Sequence, residues 1–293
     1  MSQAKRIELA LQTVLGTAQS PGGPPRLGDA VRHAVWPGGA RVRPRLCLAV
    51  AMACGDDDPR LADQAAAAVE LLHCASLVHD DLPCFDDAPT RRGRPTVHRV
   101  HGERLAVLAG DALIVLAFQS LVAVPVRQPQ RLGTLLDLLA RGVGLPHGIA
   151  AGQAWECEPQ VPLHTYQQAK TGALFAAATM AGAAAAGQPH EPWRRLGERL
   201  GEAYQVADDI RDVAADPQAL GKPTGRDGLL GRPSSAATKG LAGALAHFQD
   251  LVDEAADAVP SCRGHHQLQT LVRSEAERLV PAAWHPMLAA SAA

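Results

Sequence analysis

Aromatic residues make up only 3% of the 293-residue sequence. β-Branched residues rarely alternate with polar ones, so the period-two signature of strands is missing as well. The two absences exclude a mainly β architecture. The six cysteines (Cys47, Cys54, Cys74, Cys84, Cys157 and Cys262) are scattered without close pairs. That spacing argues against a zinc site and a disulfide framework, and fits a reducing, cytoplasmic setting. A net charge of −2 leaves no basic excess to make nucleic acid or an anionic membrane the main partner. The N-terminal MSQAKRIELALQTVLG has the alternation of an amphipathic helix and lacks the continuous apolar core of an export signal. No transmembrane segment is expected. The uncharged run GALFAAATMAGAAAAG at 172–187 is shorter than the roughly 20 residues that span a bilayer, and its alanine content reads as a buried helix.

With 47% hydrophobic and 20% charged residues, the chain can bury a large core. Alanine- and leucine-rich segments such as LADQAAAAVELLHCASLVHDD (61–81) repeat their apolar positions every three or four residues. They predict an all-α protein. Glycine and proline gather between those segments, at 20–28, 36–44, 89–95, 144–148 and 216–228, where they read as helix connections. With no internal repeat and no long linker, residues 1–293 are expected to form a single domain, an antiparallel helical bundle of ten or more helices.

Residues 79–95, HDDLPCFDDAPTRRGRP, set four aspartates beside three arginines. The helix starting near residue 63 should reach Asp80 and Asp81 and then stop, because Pro83 removes a backbone donor and disfavours helix at Leu82. His73 lies seven residues before Asp80, about two turns, and so on the same side. A second cluster, YQVADDIRD at 204–212, puts Asp208 and Asp212 four apart on one helical face, with Asp209 beside them. Like charges so spaced repel unless a hard cation lies between them. Oxygen ligands without histidine or thiol partners suit magnesium, which combines carboxylates with substrate phosphates, and arginines then grip the diphosphate.

These motifs resemble those of the trans-isoprenyl diphosphate synthases, nearest the bacterial geranylgeranyl diphosphate synthases of carotenoid and photopigment pathways. DDLPCFD (80–86), RRGRPT (91–96), KTG (170–172), DDIRD (208–212) and GKPTGRD (221–227) occur in the family's order, within a matching core of about residues 30–230. The resemblance implies a helical bundle around a central cavity, as a homodimer. It implies that Asp80, Asp86, Asp208 and Asp212, with Asp81 and Asp209 in support, hold Mg2+, three ions once substrate is bound. Arg91, Lys170, Thr171, Gln205 and Lys222 match positions that clamp the allylic diphosphate. Arg43, His73 and Arg92 match those that bind isopentenyl diphosphate. Ala75 and Ser76, the fifth and fourth residues before the first motif, match the floor of the product cavity; their small size implies a C20 product, with farnesyl diphosphate (C15) as the alternative. Gln153 and Glu156 resemble a Gly-Gly-Gln-x-x-Asp helix, or serve packing. Asp87 is a spare ligand or a solvated neighbour. The sequence has only four lysines against 24 arginines, so two of the four at phosphate-binding positions is an informative placement.

One departure matters. The family's GGKRxRP reads GGARVRP here, with Ala40 in place of a lysine that meets isopentenyl diphosphate. Either Arg41 or Arg45 is expected to compensate. The substitution keeps open a regulatory, non-catalytic subunit, although such subunits lose aspartate motifs and both are complete here. A terpene cyclase of similar fold predicts one such motif and no RRGxPT segment.

Overall fold

The structure, a computed structural model, describes residues 1–19, 22–125, 128–160, 162–214 and 235–280; the side chains at 163, 212–214 and 235–238 fall outside the described set. These residues are almost wholly helical, as the missing strand signature predicts. They form two compact units, Met1–Ala140 with Ala177–His190, and the described part of Arg141–Ala176 with Glu191–Ala293.

In the first unit, α1 (Gln3–Ala18) buries Ile7, Ala10, Leu11, Val14 and Leu15, the stripe of an amphipathic helix. After α2 (Pro25–Val35) and α3 (Val42–Ala53) comes α4 (Pro59–Asp80), the centre of the unit. It starts about a turn earlier than its apolar period suggests. Asp58 caps it, accepting from the Leu61 amide at 3.4 Å, and Pro59 occupies the first turn, where a missing N–H is harmless. Ala65, Ala66, Ala67 and Ala68 are all fully buried, so α4 is packed on every side. It ends at Asp80, as Pro83 dictates.

Beyond α5 (Val97–His101), α6 (Glu103–Val122) runs along α4. A Cβ on Gly110 would collide with the His79 ring, so glycine lets that ring pack closely where the C-terminal end of α4 meets α6. Both helices are long and apolar enough to cross a bilayer. The apolar window of α4 is 72% buried, that of α6 only 44%, and α6 leaves Val107, Leu108, Val115 and Val122 exposed. One connection is more regular than a loop. Within PTRRGRP, β1 (Thr90–Arg91) pairs antiparallel with β2 (Arg94–Pro95) across Arg92 and Gly93, which have φ of 55° and 74°. Two left-handed residues form the tight turn whose twist suits a hairpin.

The helix α7 (Pro129–Val143) precedes the second unit's α8 (Ile149–Ala154), a 3₁₀ turn at Trp155–Cys157, α9 (Leu163–Gln167) and a π-helical turn at Gln168–Gly172. The run at 172–187 becomes α10 (Ala173–Ala185), buried from Leu174 to Ala186. In the second unit α11 (Arg194–Ala214) approaches the π turn backbone to backbone: a Cβ on Gly201 would lie 2.7 Å from Gly172 Cα. Its other face, with Val206, Ala207 and Ile210, packs against Phe248 and Leu251 of α12 (Ser235–Asp257) and Ala276 of α13 (His265–Leu279).

Candidate functional site

In the first unit the chain leaves α4 and folds back on itself. The Asp86 amide donates to the Asp80 carbonyl at 3.0 Å and the Ala88 amide to the Asp81 carbonyl at 3.2 Å, which brings the first and last aspartates of DDLPCFD together. Asp81 is buried and receives the Arg91 guanidinium, Nε at 3.0 Å and Nη2 at 2.5 Å from Oδ1. Burial pushes the Asp81 carboxyl up from its ordinary value, against the pull of Arg91. Arg91 also lies 3.8 Å from Asp80. The hairpin β1–β2 therefore delivers Arg91 to the acidic turn. Asp87, half exposed at φ 42°, is bound by Arg99 at 3.0 Å.

The paired glycines of GGARVRP make room for guanidinium groups. A Cβ on Gly38 would collide with that of Arg41, and one on Gly39 would lie 2.7 Å from that of Arg92. Arg41, left-handed at φ 52°, bonds Glu70 Oε1 at 2.6 Å, Glu8 Oε1 at 3.0 Å and the Val35 carbonyl at 2.9 Å. Its guanidinium is committed to the scaffold, away from the compensation expected of it for the exposed Ala40. Half-buried His73 has its pKa lowered well below the ordinary value, first by desolvation and then by Arg43, Arg92, Arg91 and Arg41. The structure thus gathers His73, Arg43 and Arg92 with Arg91 in one cationic neighbourhood. Ala75 is buried; Ser76, half-buried, turns its hydroxyl back to the His73 carbonyl at 2.8 Å.

In the second unit the aspartates stay in a helix. Asp208, partly exposed, pairs with Arg211 at 3.0 Å, while Asp209 is buried at 2% exposure. A relay ties it to the π turn: the Thr171 hydroxyl donates to Gln205 Oε1 at 3.1 Å, and the Gln205 amide donates to Asp209 Oδ1 at 3.2 Å. Lys170, next in sequence, is ion-paired with Glu156, which also accepts from the Tyr166 hydroxyl at 2.6 Å. Spacing alone gives no hint of that contact across 14 residues, although Glu156 falls on a family-like motif. Lys222 and the side chain of Asp212 lie outside the described residues.

The donor set fits magnesium. Among the described residues no three His, Cys, Asp or Glu side chains form a closed cage. Asp80 and Asp86, brought together by the turn, offer only oxygen donors, the chemistry that suits magnesium.

The family model described as polyprenyl synthetase matches residues 24–266. The chain is 52% identical over 282 residues to a geranylgeranyl diphosphate synthase of Cereibacter sphaeroides, covering 96% of this chain and 98% of that one. It is 48% identical to one from Rhodobacter capsulatus, over 96% and 97% of the two chains. Among solved structures, a geranyltransferase from Helicobacter pylori complexed with magnesium and isoprenyl diphosphate matches with a TM-score of 0.78 at 27% identity, covering 95% of this chain and 98% of that one. Both aspartate motifs, the paired arginines and the KTG turn thus sit within a match that runs nearly end to end, and the chain belongs to the polyprenyl synthetase family.

Proposed function

We propose that this chain condenses isopentenyl diphosphate with allylic diphosphates and releases chiefly geranylgeranyl diphosphate, as its relatives' names suggest. The observation that carries the reading is the folded-back acidic turn, in which Asp80 and Asp86 adjoin and Arg91 is locked on Asp81. Magnesium, three ions with substrate bound, would be held by Asp80, Asp86, Asp208 and Asp212, and supplies charge neutralisation of the departing diphosphate. Arg91, Lys170, Thr171, Gln205 and Lys222 bind that same group. They stabilise it more as free diphosphate, which carries one more negative charge than the ester, and this favours ionisation of the allylic C–O bond. Arg43, Arg92 and a neutral His73 hold isopentenyl diphosphate with its double bond beside the allylic cation. The new C–C bond forms, a proton passes to the released diphosphate, and the chain is five carbons longer.

Ala75 and Ser76 leave the end of α4 without a bulky stop, which supports growth to C20. The exposed apolar row of α6 supports a homodimer, since a second copy would cover it. The scattered cysteines support a cytoplasmic setting, and the two bacterial relatives support a role in supplying carotenoid or photopigment synthesis. The purified chain, given magnesium, labelled isopentenyl diphosphate and C5, C10 or C15 allylic diphosphate, should yield mainly a C20 alcohol after dephosphorylation. Ala75→Tyr should shift the main product to C15. A wild type that stops at C15, or a variant that still makes C20, would contradict the cavity-floor assignment; no elongation at all would contradict the activity and favour a regulatory subunit.

A further inference from the structure

We propose that Glu156 is a positioning residue for Lys170: anchored by Tyr166, it holds the lysine ammonium ready for a substrate diphosphate and takes it back when product leaves. The inference rests on the reading of Lys170 as a diphosphate clamp. Glu156 stands in the 3₁₀ turn that continues α8, and Lys170 in the π turn. One oxygen, Glu156 Oε1, accepts both the Tyr166 hydroxyl at 2.6 Å and the Lys170 ammonium. The ammonium also lies 5.6 Å from the centre of the Tyr166 ring, within cation–π range. Its location is therefore fixed from two directions, by a carboxylate and by an aromatic face.

The backbone is shaped for this contact. A Cβ on Gly152 would collide with the backbone of Lys170, so glycine lets α8 press directly on the π turn. Glu156 follows one turn later and reaches the ammonium. A π turn carries one extra residue relative to an α-helical turn, and such turns are frequent at functional sites.

The chemistry requires restraint of this kind. Lysine is a flexible cation, and a free one would lose its rotamer freedom on binding phosphate. An ammonium has three N–H donors, so a single bond to Glu156 does not by itself exhaust its capacity for an anion. Both partners keep about a fifth of their side-chain surface in solvent, 21% for Lys170 and 20% for Glu156, so the pair is strong enough to orient and weak enough to yield to a more highly charged anion. A residue serving only to pack would need neither the tyrosine hydroxyl nor the charge.

The test is a double-mutant cycle on the full chain, with the allylic diphosphate and isopentenyl diphosphate varied separately. Lys170→Met should lower kcat/KM for the allylic substrate by about 100-fold, and Glu156→Gln by about 10-fold with KM for isopentenyl diphosphate unchanged. The double variant should match Lys170→Met within about threefold, because Glu156 acts only through the lysine. Tyr166→Phe should lose less, in the same direction, and Glu156→Asp should recover part of the loss by keeping the charge. The inference is overturned if Glu156→Gln behaves as wild type, or if the double variant loses the product of the two single losses. It is overturned equally if Glu156→Gln lowers the melting temperature and impairs both substrates alike. Wild-type kinetics in Lys170→Met would instead overturn the clamp reading itself, and this inference with it.

Discussion

The first aspartate cluster is made by chain that leaves a helix, the second by chain that stays in one, and their supports differ accordingly. At Asp80–Asp86 the backbone turns back through amide-to-carbonyl bonds, and charged partners hold the side chains, with Arg91 on Asp81 and Arg99 on Asp87. At Asp208 and Asp209 the helix fixes the spacing; Arg211 of the same helix pairs with Asp208, while neutral groups hold buried Asp209, from Thr171 through Gln205. A turn presents adjacent carboxylates but needs cations to restrain it. A helix fixes the spacing by its own backbone and leaves neutral neighbours to link Asp209 to the π turn.

The sharpest way to break this comparison is to neutralise one carboxylate in each region. Asp80→Asn and Asp208→Asn should each lower kcat/KM for the allylic substrate by about 100-fold or more, with helical content by circular dichroism unchanged, since neither alters core packing. Full turnover in one variant would show that the two regions do not share the work.

Stability should separate the regions next. Arg91→Met leaves Asp81 buried without its cation, a loss of about 3 kcal/mol in denaturant unfolding. Gln205→Met removes neutral donors and acceptors and should cost about 1–2 kcal/mol. Equal losses would erase the distinction between charged and neutral support.

A pH dependence belongs to the first region. His73 is held neutral in the folded chain by burial and neighbouring arginines, while in the unfolded chain it binds a proton near its ordinary value. Its contribution is fully present above about pH 6.5 and is lost as pH falls below it, by up to about 1.4 kcal/mol per pH unit until the folded-state pKa is reached. His73→Gln should flatten that part of the stability profile relative to wild type. An identical profile would mean that His73 titrates alike in both states.

The smallest effect concerns Ala40. With Arg41 committed to Glu8, Glu70 and Val35, a lysine introduced at 40 should tighten isopentenyl diphosphate by about 10-fold, the size of one charge-assisted contact. An unchanged KM would assign the compensation to Arg45.

Much of this was legible in the sequence because it depends on local rules. Proline at 83 ends α4 at Asp80, and a 3.6-residue period places Asp208 in a helix. What escaped depends on contacts between distant segments. Arg41 looked available until Glu8 and Glu70, 33 and 29 residues away, took its donors. Glu156 could not be told from a packing residue because its partners arrive from a separate turn. The hairpin at 90–95 was read as a plain connection because its turn carries Arg-Gly, where asparagine or aspartate before glycine is the stronger signal.

The central proposal is that the carboxylates of each region hold magnesium against a substrate diphosphate. Calorimetric titration with a non-ionisable allylic thiodiphosphate, with and without magnesium, tests it without turnover. The account predicts magnesium-dependent binding in the wild type that is weakened by about 10-fold or more in Asp80→Asn and in Asp208→Asn alike. Wild-type, magnesium-dependent affinity in either variant would contradict it.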